Sequence, residues 1–245
     1  ETAVDLLLRR GCPLVPVSSK TASEIRWWMK ALFLEGPFVC ENGCGLVIPE
    51  GYFERIPEGG VREKGEWRVP LGTGIGEVRK KLREAALEAG VRVRGFGDMP
   101  SREISLLSGL KVQEELDGAM DREYEEPFVL QEEKDLDRLV PLAEKRDLVI
   151  TRGGRFCHAS GKCDKGRAVG ILIALFREKF PDVLTVGVGD SQNDLSMLLA
   201  VDRGFLVAKP DGSHDPAIPP DAAARTKGAG PKGFREAIEE IIAIG

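Results

Sequence analysis

What this 245-residue sequence lacks narrows the choices before any motif is read. No apolar run approaches the ~20 residues that a bilayer-spanning helix needs. The opening "ETAVDLLLRRG" has neither a basic n-region nor a small-residue cleavage site, so it does not read as a secretory signal. A basic excess is also missing. With 35 Lys and Arg against 40 Asp and Glu, the net charge of −5 argues against a nucleic-acid groove, while leaving room for a local cationic pocket. Cysteine is too scarce for a disulfide scaffold: the count is five, odd, in a chain large enough to fold without staples. Reduced thiols in a cytoplasmic protein are therefore expected. Position 1 is not methionine, and the chain opens inside a helix closed by Gly11, so further residues are expected ahead of Glu1 in the natural protein. No internal repeat or low-complexity tract occurs.

What is present is an ordinary globular composition, 42% hydrophobic and 31% charged. "CPLVPV" predicts a strand over 12–17, and "SSKTASEIRWWMKALFL" a helix with Thr21 and Glu24 in capping-box spacing. "GPFVCENGCGLVI" predicts two strands about a turn at Asn42-Gly43. Residues 51–73, rich in Gly, Pro and charge, read as a loop or boundary. Helical stretches at 74–90, 101–109, 112–121 and 131–146 then surround strand candidates at 91–94 and 127–130. A hairpin turning at Gly153-Gly154 follows. After 160 come a helix beginning at "DKGRAV", a strand over 183–188, a helix over 191–199, a strand over 204–208 and a helix over 233–244. Strands alternating with helices indicate an α/β fold. Its core is a Rossmann-like, doubly wound, mostly parallel sheet built from 1–73 and 160–245. Residues 74–159 form an inserted α+β cap.

In open α/β sheets, ligands bind beyond the carboxyl ends of the strands. "VLTVGVGDSQNDLSML" places Asp190, Ser191, Asn193 and Asp194 there. A carboxylate on a rigid strand end suits a hard cation, and Mg²⁺ takes one or two carboxylates while keeping several waters. Asp190 is the candidate ligand, with Asp194 one helical turn on to join or orient it; helix capping by Asp190 and Ser191 is the plainer alternative. Lys165 stands at a helix start, where dipole and ammonium both favour an anion. Ser18 follows a strand at the same edge. Hydroxyl, lysine and acidic metal ligand together suit phosphoryl transfer, in which positioning and charge stabilisation do most of the work.

Ser18, Lys165 and "GVGDSQND" resemble motifs II, III and IV of the haloacid-dehalogenase-like phosphatases. "VPVSSKT", "ENGCG", "DREYEEPF", "RGGRFCHASGKCDKGRAV" and "GPKGFREAI" are similar, in order, to the mannosyl-3-phosphoglycerate phosphatase family in the capped sugar-phosphatase branch. The resemblance implies a cytoplasmic Mg²⁺-dependent phosphoric monoester hydrolase. It would act on a small phosphorylated sugar-glycerate to give mannosylglycerate, a compatible solute, with neither nucleic acid nor membrane as partner. It also implies that Ser18 holds the phosphoryl group, Lys165 stabilises its charge and Asp190 binds Mg²⁺. Glu41, Asn42 and Gly43 would form the core-side substrate loop, and Arg152, Gly153, Gly154, Arg155 and His158 the cap's contribution. Independently, two arginines beside a Gly-Gly turn suit a substrate with carboxylate and phosphate. Arg122 and Glu123 are further candidate contacts, or a helix-end ion pair.

One departure stands against the resemblance. The family opens on a D-x-D-G-T strand whose first Asp attacks phosphorus, giving an aspartyl-phosphate. No such run occurs here, and Asp5 in "AVDLLLRR" is no substitute. The nucleophile is expected ahead of Glu1; the alternative is a non-hydrolytic remnant that binds a phosphosugar. A phosphatase for a sucrose- or trehalose-phosphate-like substrate is a third reading. A zinc site from Cys40, Cys44, Cys157, His158 and Cys163 is a fourth. Lys165→Ala is expected to lower turnover and leave the fold intact.

Overall fold

The computed structural model describes residues 2–110, 113–153 and 156–244. Helix α1 (Ala3–Arg9) starts at Thr2, whose hydroxyl accepts from the Asp5 amide at 3.1 Å while Asp5 Oδ2 accepts from the Thr2 amide at 2.9 Å. Asp5 is thus a helix-capping carboxylate. The strand expected over 12–17 is reduced to one parallel bridge, Val17 to Val39. Pro16 still accepts from the Val39 amide and Ser18 N–H donates to the Val39 carbonyl, but Pro13 and Pro16 have no amide to extend the ladder. Helix α2 (Ala22–Ala31) carries the expected Thr21/Glu24 capping box.

Strands β1 (Phe38–Cys40) and β2 (Gly45–Pro49) pair antiparallel about the 41–43 turn. The stretch expected as loop holds a second hairpin, β3 (Val61–Glu63) and β4 (Glu66–Pro70). Its turn is Lys64-Gly65, both at positive φ (49° and 82°), the twist a two-residue hairpin requires. This sheet runs β1-β2-β4-β3.

The cap follows as α3 (Ile75–Ala89), β5 (Val93–Gly95), α4 (Ser101–Ser108), α5 (Gln113–Met120), β6 (Glu125–Leu130), α6 (Leu136–Glu144), β7 (Val149–Gly153) and β8 (Phe156–Ser160). Its antiparallel sheet runs β5-β6-β8-β7. Val78, Leu82, Phe128, Leu139 and Ala159 close one core between that sheet and α3 and α6. Phe96, Met99, Ile104 and Leu116 pack with Val129 and Phe156 in another. The order then runs α7 (Lys165–Lys179), β9 (Val186–Gly189), α8 (Leu195–Ala200), β10 (Arg203–Ala208), β11 (Ala224–Ala229) and α9 (Pro231–Ile244).

The parallel part of the core is narrower than expected: β11-β10-β9 and the Val17–Val39 bridge, beside an antiparallel β1–β4. Helix α7 serves both sheets. Ala168, Leu172 and Leu175 bury against Val39, Leu46 and Ile48, while Val169 and Ile173 bury against Met197, Leu198 and Leu206. Each such leucine contributes ~1.5–3 kcal/mol by leaving water. The helix is therefore anchored along its length, and its first residue, Lys165, is held at a fixed height above both sheets.

The cysteines differ from the expectation. Cys44 and Cys163 form a disulfide across 119 residues, with Cα atoms 5.2 Å apart. Cys12, Cys40 and Cys157 are free thiols. The β1–β2 turn packs onto the start of α7, and sequence separation conceals that proximity. With two of its thiols bonded to each other, the zinc reading fails. Among the described residues, no helix is long and apolar enough to cross a membrane.

Candidate active site

The 41–43 turn sets the site's floor. Glu41, Asn42 and Gly43 all have positive φ (46°, 56° and 94°). Only glycine fits the third place, because a Cβ there would lie 2.2 Å from the Asp164 carbonyl oxygen. Asn42 N–H donates to the Ser18 carbonyl and Glu41 N–H to the Lys20 carbonyl, so the Ser18 segment runs beside the turn. Ser18 Oγ accepts from the Lys20 amide at 3.2 Å.

Lys165 is 5% exposed, and its Nζ donates to Asp194 Oδ1 at 2.6 Å. The N-terminal amides of α7 already have partners: Gly166 N–H donates to Ser196 Oγ and Arg167 N–H to Asp164 Oδ1. The ammonium, rather than the helix end, is the cationic element here. Asp194 Oδ2 accepts from the amides of Asp190 (2.9 Å) and Ser191 (3.2 Å). Asp194 lies under Gly189, where any Cβ would come within 2.5 Å of the Asp194 Cβ. Both Asp194 oxygens are thus engaged by protein donors. Of the two expected ligands, Asp190 is exposed at the strand end, whereas Asp194 is buried and hydrogen-bonds the Lys165 ammonium and the Asp190 amide. A buried ion pair leaves an uncompensated charge when one partner is removed, at ~3–5 kcal/mol. Lys165→Ala is therefore expected to cost stability as well as turnover.

From this edge a polar chain crosses into the cap. Asn193 Nδ2 donates to Asn42 Oδ1 at 3.1 Å, and Asn42 Nδ2 donates to Glu125 Oε2 at 2.6 Å. Glu125 Oε1 lies 2.6 Å from His158 Nδ1. Arg122 donates to the Ser19 carbonyl at 2.9 Å and lies 3.6 Å from both Glu24 and Glu125. Arg68 pairs with Glu123. Arg122 and Glu123 are therefore core-to-cap ties. Glu41, fully buried, accepts from the amides of Glu123 (3.0 Å), Tyr124 (2.9 Å) and Glu125 (2.7 Å), clamping the root of β6 onto the core. Burial pushes the Glu41 carboxyl up, against these amides and Arg122. Burial acts the same way on Glu125, but His158, Arg122 and Asn42 outweigh it and hold its carboxyl below the ordinary value.

Strand parity separates the expected cap residues. His158 pairs with Thr151 and faces Glu125, whereas Arg152 pairs with Cys157, one residue off in register and so on the opposite face. There Arg152 meets Glu133 at 2.6 Å. Gly153 ends β7 opposite Phe156. Gly154 and Arg155 lie outside the described residues. Glu125 and Asn193 went unassigned in the sequence. Glu125 looks like one more acid in "DREYEEPF"; only its place at the start of a strand, inward like Pro127, would have marked it.

No family model matches the chain. Among solved structures it is similar to Thermoplasma acidophilum 0175 (TM-score 0.62, 17% identity, 99% of this chain and 86% of that one). It is likewise similar to a haloacid dehalogenase-like hydrolase from B. subtilis (TM-score 0.62, 15% identity, 98% and 91%). The subclass IIB sugar phosphatase BT4131 superposes equally well (TM-score 0.62, 15% identity, 98% and 89%). The fold is that of the haloacid-dehalogenase-like hydrolases, with a capped core. At the level of sequence, the chain is 37% identical over 98% of its length to the glucosyl-3-phosphoglycerate/mannosyl-3-phosphoglycerate phosphatase of Methanococcoides burtonii, covering 88% of that protein. It is 36% identical to the protein of the same name from Persephonella marina, with the same coverage. Its identity to the mannosyl-3-phosphoglycerate phosphatase of Pyrococcus furiosus is 35%, over 83% of this chain and 81% of that protein. The chain belongs to the mannosyl-3-phosphoglycerate phosphatase family, whose members are phosphoric monoester hydrolases.

Proposed function

We propose that the protein hydrolyses the phosphate ester of mannosyl-3-phosphoglycerate, with Mg²⁺, to mannosylglycerate and inorganic phosphate, completing synthesis of that solute in the cytoplasm. The observation that carries this reading is the buried Lys165–Asp194 pair, which holds the Asp190 backbone at the end of β9, beside an Asn193–Asn42–Glu125 chain of hydrogen bonds that reaches the cap.

The donors fit Mg²⁺. Asp190 offers one exposed carboxylate on a backbone braced by Asp194, and Mg²⁺ takes one or two carboxylates while keeping several waters. When bound, the ion neutralises phosphoryl charge. The chain's own residues do the rest. Ser18 donates its hydroxyl to a phosphoryl oxygen. Lys165 places a fixed ammonium beside the developing negative charge, where low dielectric strengthens its effect. Asp194 keeps that ammonium and the Asp190 backbone in place. Residues 1–245 contain no D-x-D-G-T run, so the attacking group is not among the residues named here.

Residues 74–159 act in this reading as the recognition unit, with His158, beside Glu125 and Asn42, as its contribution at the junction with the core. A glucosyl substrate is the second reading, because two of the similar proteins carry both sugars in their names. Phosphate release by the natural protein should be compared across mannosyl- and glucosyl-3-phosphoglycerate, sucrose 6-phosphate and trehalose 6-phosphate. The expected result is a kcat/KM at least ~100-fold higher for the glycerate-bearing pair, as lost hydrogen-bond partners penalise the others. Preference for either disaccharide phosphate would overturn the assignment, and tight binding without release would favour a phosphosugar-binding role.

A further inference from the structure

Glu125 opens β6 at 1% exposure, between two groups whose hydrogen-bonding direction is ambiguous on its own. An imidazole can carry its proton on either nitrogen, and a carboxamide can present either end. An ionised carboxylate has acceptors only, so whatever faces it must donate. Oε1 faces His158 Nδ1 at 2.6 Å, and Oε2 faces the Asn42 side chain at 2.6 Å. His158 must then carry its proton on Nδ1, and Asn42 must turn its NH₂ towards Glu125. The far end of Asn42 agrees with this: its carbonyl accepts from Asn193 Nδ2 at 3.1 Å, and Asn193 Oδ1 is in turn engaged by Ser191 Oγ at 2.6 Å.

We propose that Glu125 is a positioning residue that fixes, with one buried carboxylate, both the His158 tautomer and the Asn42 amide orientation. It thereby presets the polar groups that cap and core loop offer to the sugar-glycerate part of the substrate. The inference rests on the phosphatase reading for the ligand's identity; the preset itself belongs to the free protein. With Nδ1–H held by Glu125, the neutral ring has Nε2 left as an acceptor. The group it meets is a hydroxyl donor of the sugar or glycerate rather than a carboxylate or phosphate oxygen. In its neutral form His158 then reads hydroxyls and leaves anion recognition to other residues.

The sequence contains only two histidines, and they serve as opposite controls. His214 Nε2 lies 3.0 Å from the Thr226 carbonyl, an acceptor, so His214 should carry its proton on Nε2. Long-range ¹H–¹⁵N spectra of the ligand-free chain at a pH where the rings are neutral should show one Nδ1–H and one Nε2–H pattern. Assignment by His214→Gln should leave the Nδ1–H pattern in place. A wild-type His158 of the Nε2–H type would overturn the proposal, and this measurement needs no substitution at Glu125. In Glu125→Gln one acceptor becomes a donor, so the two preset orientations cannot both persist. KM for mannosyl-3-phosphoglycerate in the natural protein should rise at least tenfold, with kcat changed less than threefold. A KM equal to wild type would also overturn the proposal. Absence of any phosphate release from wild type would instead refute the phosphatase reading, leaving the spectra to decide the role of Glu125.

Discussion

Lys165 and Asp194 illustrate what a single residue can decide in this protein. Each is nearly buried and each neutralises the other, so a change at either one confounds chemistry with stability. Lys165→Met should lower stability by ~3–5 kcal/mol, because Asp194 is left as an unpaired buried charge. Lys165→Met combined with Asp194→Asn, which keeps an acceptor for the Asp190 and Ser191 amides, should recover most of that loss in chemical denaturation while phosphate release stays absent. If the double variant releases phosphate, the ammonium has no role in turnover. Glu125 gives a pH-dependent counterpart. Its folded-state carboxyl lies below the ordinary value, so its contribution to stability is full above that value and is lost as pH falls through the folded one. Glu125→Gln should therefore flatten the acid limb of stability, measured as urea midpoints down the pH scale. An unchanged limb would place the acid sensitivity elsewhere. Ser18, Lys165 and Asp190 stand out in the sequence as candidates because each follows an apolar segment or starts a helix in a recognisable run. Glu41 and Glu125 were not legible as buried acids, since among 40 acidic residues nothing local marks these two as folding inward. Arg152 was legible as a cation, but not as one facing away from His158.

At the scale of elements, the 41–43 turn controls the site. Its positive-φ Glu41 and Asn42 each carry backbone strain of ~1–3 kcal/mol. Three amides of the β6 root, bound to the Glu41 carboxylate, hold the turn in that shape. Gly43→Ala should abolish phosphate release and lower the melting temperature, because its Cβ would drive the turn off Asp164 and Lys165. A fully active Gly43→Ala protein would mean that the turn does not set the position of Lys165. Local pattern predicted the helices well: the Thr21/Glu24 box and the apolar stripe of α7 are readable within one or two turns. Strands were harder. The 12–17 segment has the right apolar residues but too few amides, and β3 and β4 hide in a stretch rich in Gly, Pro and charge. Strand β11, "ARTKGA", buries only Thr226 fully, so it has no alternation to read.

For the molecule as a whole, the capped α/β architecture was readable from the order of elements, and the disulfide was not. Cys44 and Cys163 are brought together only when the β1–β2 turn lands on α7, a consequence of global packing. A bond closing 119 residues restricts the unfolded chain, which corresponds to ~2–4 kcal/mol. Reduction, or Cys44→Ser, should lower the melting temperature by about 5–15 °C for a chain of this size. Equal melting of the reduced and oxidised proteins would show that packing alone holds the turn on α7. We propose that the edge built from Ser18, Lys165, Asp190 and Asp194 is a metal-dependent phosphoryl site serving the cap. Its most direct test is phosphate release from mannosyl-3-phosphoglycerate by the natural protein and its Asp190→Asn variant, each with Mg²⁺ and with a chelator. The expected result is release that requires Mg²⁺ and falls at least ~100-fold in the variant, as the loss of a metal's charge stabilisation implies. Wild-type release from Asp190→Asn, or release indifferent to the chelator, would contradict the account.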